Sequence, residues 1–382
     1  MKTDSLNTDL LITLPLALLL AASNVTAAPA AKPALTKPRI EVCFVLDTTG
    51  SMGGLIEGAK QKIWSIANEM ISAKPTPELK LGLVGYRDRG DDYVTKHFDL
   101  TADIDAIYGE LQKFQANGGG DTPESVNEAL ADAVRKLSWS QDRSVLKIIF
   151  LVGDAPPHMD YGGPKYSDLC QEAVKKDILI NTVQCGRIAE TTPFWQEIAK
   201  LAEGSYVAIA QSGNMTVVET PLDKELAKLN RELGGTFIAY GREPQRRAFF
   251  AKQAASEAAP AAVAADRLRY GARLGGIAST GGGELIDALN AGAVKLETVK
   301  KEELPPELRK LGEGELKAQV ERQQKVRADL QARVTELNKR RDAWLAEERQ
   351  RLAAKGKADA FDGKVTEMIH TQAAKKGIRY GK

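Results

Sequence analysis

Alternating short apolar and amphipathic segments predict an α/β fold: a doubly wound, mainly parallel sheet with helices on both faces. Two observations carry this prediction. Residues 39–47, 145–154 and 178–186 are apolar runs typical of buried parallel strands. The run at 39–47 is followed by apolar residues at positions 55, 56, 59, 63, 66, 67 and 70, which is helical spacing. Such a sheet places its functional site at the carboxyl ends of the strands.

The remaining elements follow in order along the chain. Segments 78–88 and 93–100, joined by the turn-rich "RGDD", predict a hairpin. The next helix is expected after Thr122, with Thr122 as N-cap and Pro123 in its first position. The helices are predicted at 54–71, 103–116, 123–137, 167–177 and 193–202, and a last strand at 205–210.

The first strand ends in "DTTGSM", where Asp47, Thr49 and Ser51 all carry oxygen. Asp154 ends the fourth strand, and Thr122 lies in a loop that reaches the same sheet edge. Oxygen ligands of this kind, mostly hydroxyls with two carboxylates, suit Mg²⁺. They leave the charge of the ion under-neutralised. We therefore expect an incoming carboxylate as the final ligand.

These motifs, "DTTGSM", "GGDTPES" and "VGDAPPH" in this order, resemble the metal-ion-dependent adhesion site of von Willebrand factor A domains. The family motif is Asp-x-Ser/Thr-x-Ser, then a Thr, then an Asp, and the resemblance covers about residues 38 to 235. It implies direct or water-mediated ligands for Mg²⁺, or alternatively Mn²⁺ or Ca²⁺. The implied ligands are Asp47, Thr49, Ser51, Thr122 and Asp154.

Other polar residues near this edge are not predicted to bind the ion. We interpret His158 as a loop residue, because imidazole suits Zn²⁺ better than Mg²⁺. Four further residues are expected to be solvated surface. These are Asp121, Asp160, Arg87 and Asp88.

No catalytic motif is found in the sequence, so we predict a binding module and not an enzyme. Gly53 and Gly58 have the spacing of a phosphate loop, but Ala59 replaces the required Lys. Two alternatives stay open. One is a metal-dependent hydrolase that acts on a phosphorylated or carboxylate ligand at the same ion. The other is a structural protein that oligomerises through its C-terminal helix.

The N-terminal residues predict export. An apolar run at 10–22 precedes small residues around Ala27, which predicts a signal peptide over 1–28, although only Lys2 supplies positive charge. The run is shorter than the ~20 residues that span a bilayer. We expect a periplasmic or secreted protein without a stable membrane span after cleavage, and a retained anchor is the alternative.

Charge and cysteine content limit the partners. The net charge of +2 argues against a strongly basic nucleic-acid surface. The expected partner is a protein that offers an Asp or Glu carboxylate, because the predicted ion is under-neutralised by its own ligands. An oxidising compartment favours a disulfide between Cys170 and Cys185, because a helix and the strand after it bring both to one sheet edge. Cys43 is expected to be a buried thiol.

Beyond residue 235 the composition shifts to alanine and glycine and then to charge. The prediction divides the chain into the signal 1–28, a linker 29–37, the sheet domain 38–240, an Ala/Gly-rich helical linker 241–305 and a charged helical extension 306–382. No family is recognised for the last two.

A long charged helix is predicted from about residue 314. Six apolar residues, Leu316, Val320, Leu330, Val334, Leu337 and Trp344, follow a heptad seam. Charged or polar residues such as Arg327 and Arg341 interrupt that seam. Because so few apolar positions suit a core helix poorly, we expect a projecting or folded-back arm outside the sheet domain, self-associating through residues 316–352. Its removal should leave the sheet domain's stability nearly unchanged.

Overall fold

The sheet follows the predicted pattern of parallel strands with one antiparallel edge. In a computed structural model that describes residues 37–213, 217–355 and 360–381, the strands have the order β3-β2-β1-β4-β5-β6. Only β2 and β3 pair antiparallel in this described sheet, which confirms the predicted hairpin. The strands are β1 (Arg39–Asp47), β2 (Glu78–Tyr86), β3 (Thr95–Thr101), β4 (Leu146–Gly153), β5 (Ile178–Cys185) and β6 (Tyr206–Ile209). The predicted signal peptide and residues 29–36 of the linker lie outside the described residues.

Helices cover both faces of the sheet, as predicted. One face packs against α1 (Gly53–Met70) and α2 (Ile104–Gln112). The opposite face packs against α3 (Val126–Arg135), α4 (Tyr166–Lys175) and α5 (Thr191–Leu201). Because β1 and β4 have covered faces on both sides, their sequences are continuous apolar runs.

The helices that follow β6 are α6 (Asp223–Gly234), α7 (Glu243–Glu257), α8 (Ala261–Arg273), α9 (Leu285–Asn290), α10 (Glu313–Ala354) and α11 (Ala360–Lys375). Short 3-10 turns occur at Gly50–Met52, Leu296–Thr298 and Lys301–Glu303. Within the described ranges, no helix is both long enough and apolar enough to cross a membrane.

The predicted start of the helix after Thr122 is wrong. That helix, α3, begins at Val126, and Thr122 is exposed. Glu124 instead forms an isolated parallel bridge with Pro157, and its backbone N–H donates to the Pro156 carbonyl at 2.9 Å. This pairing holds the chain extended until Ser125, so the helix starts later.

The predicted disulfide between Cys170 and Cys185 is also wrong. All three cysteines are free and buried. Cys170 lies in the core on the α3–α5 face of the sheet, whereas Cys185 lies in the core on the α1 face. Successive residues of a strand point to opposite faces, so the two thiols are separated by the sheet itself.

The prediction that the C-terminal helix stands apart from the sheet domain is wrong. Residues from Lys37 onward form one compact unit. Leu330, Val334 and Leu337 of α10 pack against leucines of α6 and against α8, and α11 contributes Ile369 to the core on the α1 face. These seam residues therefore face inward. Self-association through residues 316–352 stays a prediction. The boundaries at residues 240 and 305 remain predictions.

Arginines that interrupt the apolar seam of α10 are buried and paired. Arg327 is 1% exposed and donates to both carboxylate oxygens of Glu284, at 2.5 and 3.1 Å. Arg341 is 2% exposed and donates to Asp223 at 2.7 Å and to Asp266 at 2.6 Å. The seam thus continues through these positions, with ion pairs in place of apolar contacts.

Replacement of Arg341 tests this attachment. Arg341→Ala leaves Asp223 and Asp266 without their buried partner, so we expect a loss of ~3–5 kcal/mol in unfolding free energy. Urea denaturation of the full chain measures it. Arg340→Ala, which removes the exposed arginine next to it, is the matched control. Equal stability of the two variants would contradict the attachment.

Candidate metal centre

Two aspartates meet at the carboxyl edge of the sheet because of how β1 and β4 pair. Leu46 pairs with Val152, so Asp47 at the end of β1 lies alongside the end of β4. Asp154 follows the last residue of β4 directly. Both aspartates are buried, and Asp47 has no exposed surface. The pairing of two central parallel strands thus accounts for this part of the predicted site.

The turn after β1 gathers three of the predicted residues. The backbone N–H and the hydroxyl of Thr49 both donate to Asp47 Oδ1, at 2.9 and 2.6 Å. The Thr49 and Ser51 hydroxyls are 3.3 Å apart, and Ser51 is exposed. The Gly50 N–H donates to the Gly118 carbonyl at 3.1 Å, which attaches this turn to the α2–α3 loop. The group therefore runs from a buried carboxylate to an exposed hydroxyl.

Gln211 joins the site although the sequence analysis missed it. Its Nε2 donates to Asp154 Oδ2 at 2.6 Å and to the Ser51 carbonyl at 3.4 Å. It thereby links the β1 and β4 ends. Gln211 follows the last parallel strand, β6, so its place at the carboxyl edge was available from the sheet topology.

The α2–α3 loop brings a buried carboxyl group to the site. Glu124 is 3% exposed, whereas Thr122 is exposed and makes no hydrogen bond with the other four predicted ligands. A Cβ added to Gly119, which has φ +74°, would lie 2.9 Å from Thr49 Cβ and 3.0 Å from Glu124 Oε1. Only the backbone of Gly119, which has no side chain, lies between Glu124 and the β1 turn. The assignment of Thr122 as a ligand remains a prediction.

Two buried carboxyl groups of the site have an oxygen without a hydrogen-bond partner and a raised pKa. Asp47 Oδ2 and Glu124 Oε2 are both buried without a hydrogen-bond partner. Burial, with a further contribution from Asp154, raises the pKa of Asp47 to about 7 despite its hydrogen bonds from Thr49. Burial and the neighbouring carboxylates, Asp47 first among them, raise the pKa of Glu124 to about 9.

A divalent cation would bind the unpartnered oxygens and reduce the repulsion between the carboxylates at this edge. Its positive charge offsets the repulsion between the carboxylates, and its coordination sphere accepts the free oxygens. The donors among Asp47, Thr49, Ser51, Asp154 and Glu124 are all oxygens, which suits hard cations. The residues present therefore fit the predicted ion.

Two of the four residues predicted to be solvated surface near the site are buried instead. Arg87 and Asp88 are buried, as is His158, while Asp121 and Asp160 are exposed as predicted. Arg87 donates to the Thr48 carbonyl at 3.2 Å and to the Gln115 carbonyl at 2.8 Å. It is thus a structural link between the β1 turn and the α2–α3 loop.

Comparison with known proteins gives a match over the sheet. Residues 41–221 match the family model described as von Willebrand factor A domain. A human von Willebrand factor A domain-containing protein 7 is 33% identical over 135 residues, which are 35% of this chain and 14% of that protein. An ariadne-like RING finger protein of Acanthamoeba polyphaga mimivirus is 22% identical over 231 residues, 54% of this chain and 22% of that protein.

Solved structures give a weaker likeness. Proximal thread matrix protein 1 from the mussel byssus, in a form described with a zinc-occupied MIDAS motif, is 16% identical and has a TM-score of 0.37. The match covers 46% of this chain and 42% of that one. The chain spans less than a quarter of the length of the curated relatives it matches.

The buried carboxyl group of Asp47 makes a prediction about stability without any cation. The pKa of Asp47 is raised, so at pH 8 the folded protein carries a charge that burial disfavours. Asp47→Asn removes that charge and keeps an oxygen for the bonds from Thr49. In chelator at pH 8 we expect the variant to melt above the wild type, and the difference to shrink as the pH falls below about 7.

The control for this experiment is Asp168→Asn, which changes an exposed aspartate on α4. A variant at position 47 that melts below wild type at pH 8 would show that the carboxylate is stabilised by groups other than a cation.

Proposed function

We propose, from the premise that residues 41–221 form a von Willebrand factor A domain, that this domain binds a divalent cation and uses it to hold an acidic side chain of a protein partner. The observation that carries the proposal is the buried Asp47 Oδ2, which has no hydrogen-bond partner. In the described residues no Lys or Arg forms an ion pair with Asp47 or Glu124. The carboxylates are left for a cation from solution.

The residues that would hold the cation are Asp47, Thr49, Ser51 and Asp154, with Glu124 beside them. When bound, the cation supplies a positive charge that accepts oxygen ligands. Asp47 is held in place by both Thr49 donors, and Asp154 by the Gln211 amide. Oxygen donors favour Mg²⁺, Mn²⁺ or Ca²⁺, and we propose Mg²⁺ as the resident ion.

An acidic partner would approach from the exposed side of the site. Ser51 and the glycines at 118–120 are exposed, so the hydroxyl end of the cluster faces solvent. Glu124 modifies the charge balance expected from the sequence, because it adds a third carboxyl group. A bound cation favours the ionised form of Glu124, and that carboxylate would compete with the incoming carboxylate of the partner.

Binding is proposed in preference to hydrolysis because, among the described residues, no histidine side chain makes a hydrogen bond or ion pair with Asp47, Asp154 or Glu124. His97 lies 3.3 Å from Asp132, His370 lies 2.9 Å from Glu69, and His158 lies 2.8 Å from Asp160. No histidine is thus positioned as the general base that a hydrolase would need beside this ion.

Cation binding is tested by thermal melting of the full chain with Mg²⁺ and with chelator. A cation at one hundred times its Kd should add ~2.7 kcal/mol to the stability of the wild type. Asp47→Asn should show no such gain, and Asp168→Asn should show all of it. The proposal fails if the wild type melts identically in chelator and in Mg²⁺ up to millimolar concentrations.

The role of Glu124 is tested by Glu124→Gln. Loss of the third carboxylate should weaken Mg²⁺ binding and, at saturating Mg²⁺, strengthen binding of a short Asp-containing peptide by on the order of tenfold, which corresponds to ~1.4 kcal/mol. Calorimetry measures both, with the Asn version of the peptide and the exposed-site variant Glu225→Gln as controls. Weaker peptide binding by Glu124→Gln would contradict this role.

We further propose that the domain acts in the periplasm or as a secreted protein. The support is the apolar run at 10–22, followed by small residues around Ala27. The N-terminal sequence of the chain isolated from its native compartment tests this. A mature chain that starts near residue 29 supports export, and one that retains Met1 in the cytoplasm contradicts it.

A further inference from the structure

A second group of metal-binding side chains lies beside the first site and shares none of its proposed ligands. Asp88, Asp121 and His158 each bring one oxygen or nitrogen to within 4.8 Å of the others. Asp88 follows β2, Asp121 lies in the α2–α3 loop and His158 follows β4. Asp88 and His158 are buried, whereas Asp121 is exposed. Three separate loops thus converge on one point.

The imidazole of His158 is held rigidly. Its Nδ1 lies 2.8 Å from Asp160 Oδ1, and its ring stacks on Tyr161 with centroids 3.8 Å apart. Its backbone N–H donates to the Glu124 carbonyl at 3.0 Å, and its own carbonyl accepts from Asn127 at 2.7 Å. A carboxylate on one ring nitrogen is the arrangement that orients metal-binding histidines, because it keeps the lone pair on the other nitrogen.

That other nitrogen has nothing to bind. The His158 side chain is 8% exposed, and its Nε2 is buried without a hydrogen-bond partner. It faces Asp88 Oδ2 at 3.4 Å. When the ring proton lies on Nδ1, facing Asp160, the Nε2 lone pair points at the Asp88 carboxylate, and a cation bound between the two would relieve their repulsion.

Asp88 is likewise oriented by its neighbours. Its Oδ1 accepts from the Ser125 hydroxyl at 2.8 Å, and its Oδ2 accepts from the Tyr161 hydroxyl at 2.8 Å. These donors fix the carboxylate and leave room for a further ligand on each oxygen. The exposed Asp121 gives the group an opening to solvent.

We propose that Asp88, Asp121 and His158 form a second cation site, distinct from the first and selective for a borderline ion of the Zn²⁺ class. The choice of ion follows from the donors. Imidazole favours Zn²⁺ over Mg²⁺, and two carboxylates complete a three-ligand site that keeps a position for water. The inference does not rest on the proposed function of the first site.

Such an ion would cross-link the rim of the first site. It joins the β2–β3, α2–α3 and β4–α4 loops, and the second of these also carries Glu124. It would fix the positions of these three loops relative to one another.

Zn²⁺ titration of the full chain in the Asp47→Asn background tests the proposal, because the first site is then disabled. We expect one Zn²⁺ to bind, and millimolar Mg²⁺ to leave it in place. Adding His158→Gln removes a direct ligand, so it should weaken Zn²⁺ binding by more than the ~10- to 100-fold that loss of a ligand-orienting partner costs. Adding His97→Gln, at a half-exposed histidine on β3, should change nothing.

Asp121→Asn is a second test variant. Because Asp121 is exposed, its replacement should not affect folding. It should also weaken Zn²⁺ binding. Co²⁺ in place of Zn²⁺ should give a visible absorption band that His158→Gln removes.

The proposal is overturned if the Asp47→Asn chain binds no Zn²⁺, or if the His158→Gln and Asp121→Asn variants bind it as tightly as His97→Gln. Failure of the first site would appear separately, as a wild-type melting temperature that Mg²⁺ does not change.

Discussion

The parallel pairing of β1 with its neighbours positions both candidate cation sites. β1 lies between β2 and β4, and its pairing runs from Ile40 opposite Leu146 to Leu46 opposite Val152. The three strands end together, so Asp47, Asp88 and Asp154 emerge at one edge. A shift of one residue would turn the apolar side chains of β1 to the wrong faces of the sheet. The core that requires this register therefore also determines where the carboxylates lie.

Gly153, at the end of β4, lies where residues of the core and of the site are in close contact. A Cβ on Gly153 would lie 2.4 Å from the Tyr86 hydroxyl and 3.1 Å from Asp47 Oδ2. The Tyr86 hydroxyl is itself buried without a partner, and burial raises its pKa. Polar groups are thus packed against one another with no room for a side chain at residue 153.

Some buried carboxylates of this protein are paired with arginines, and others have no basic partner among the described residues. Three of the buried carboxylates, in or next to helices, face an arginine: Asp105 accepts from Arg267 at 2.6 and 3.0 Å, Glu284 from Arg327, and Asp223 from Arg341. These pairs join α2, α6 and α9 to the helices α8 and α10. At the carboxyl edge of the sheet Asp47 and Glu124 have no such partner among the described residues, and their pKa values are raised. Leaving carboxylates unpaired costs stability, and a bound cation offsets that cost.

Local periodicity and the order of the motifs determined the elements, the mainly parallel sheet and the gathering of Asp47, Thr49, Ser51 and Asp154 at one edge. These features depend on neighbours in the chain and on the rule that parallel strands end together. Tertiary contacts decided the rest. Glu124 reaches the edge, and His158 is buried there, through loops whose paths no local pattern specifies. Cys170 and Cys185 are separated because the sheet lies between them. Arg327 and Arg341 of α10 are buried, and no local pattern predicts this because burial of a charge depends on a carboxylate that lies 40 or more residues away in the chain.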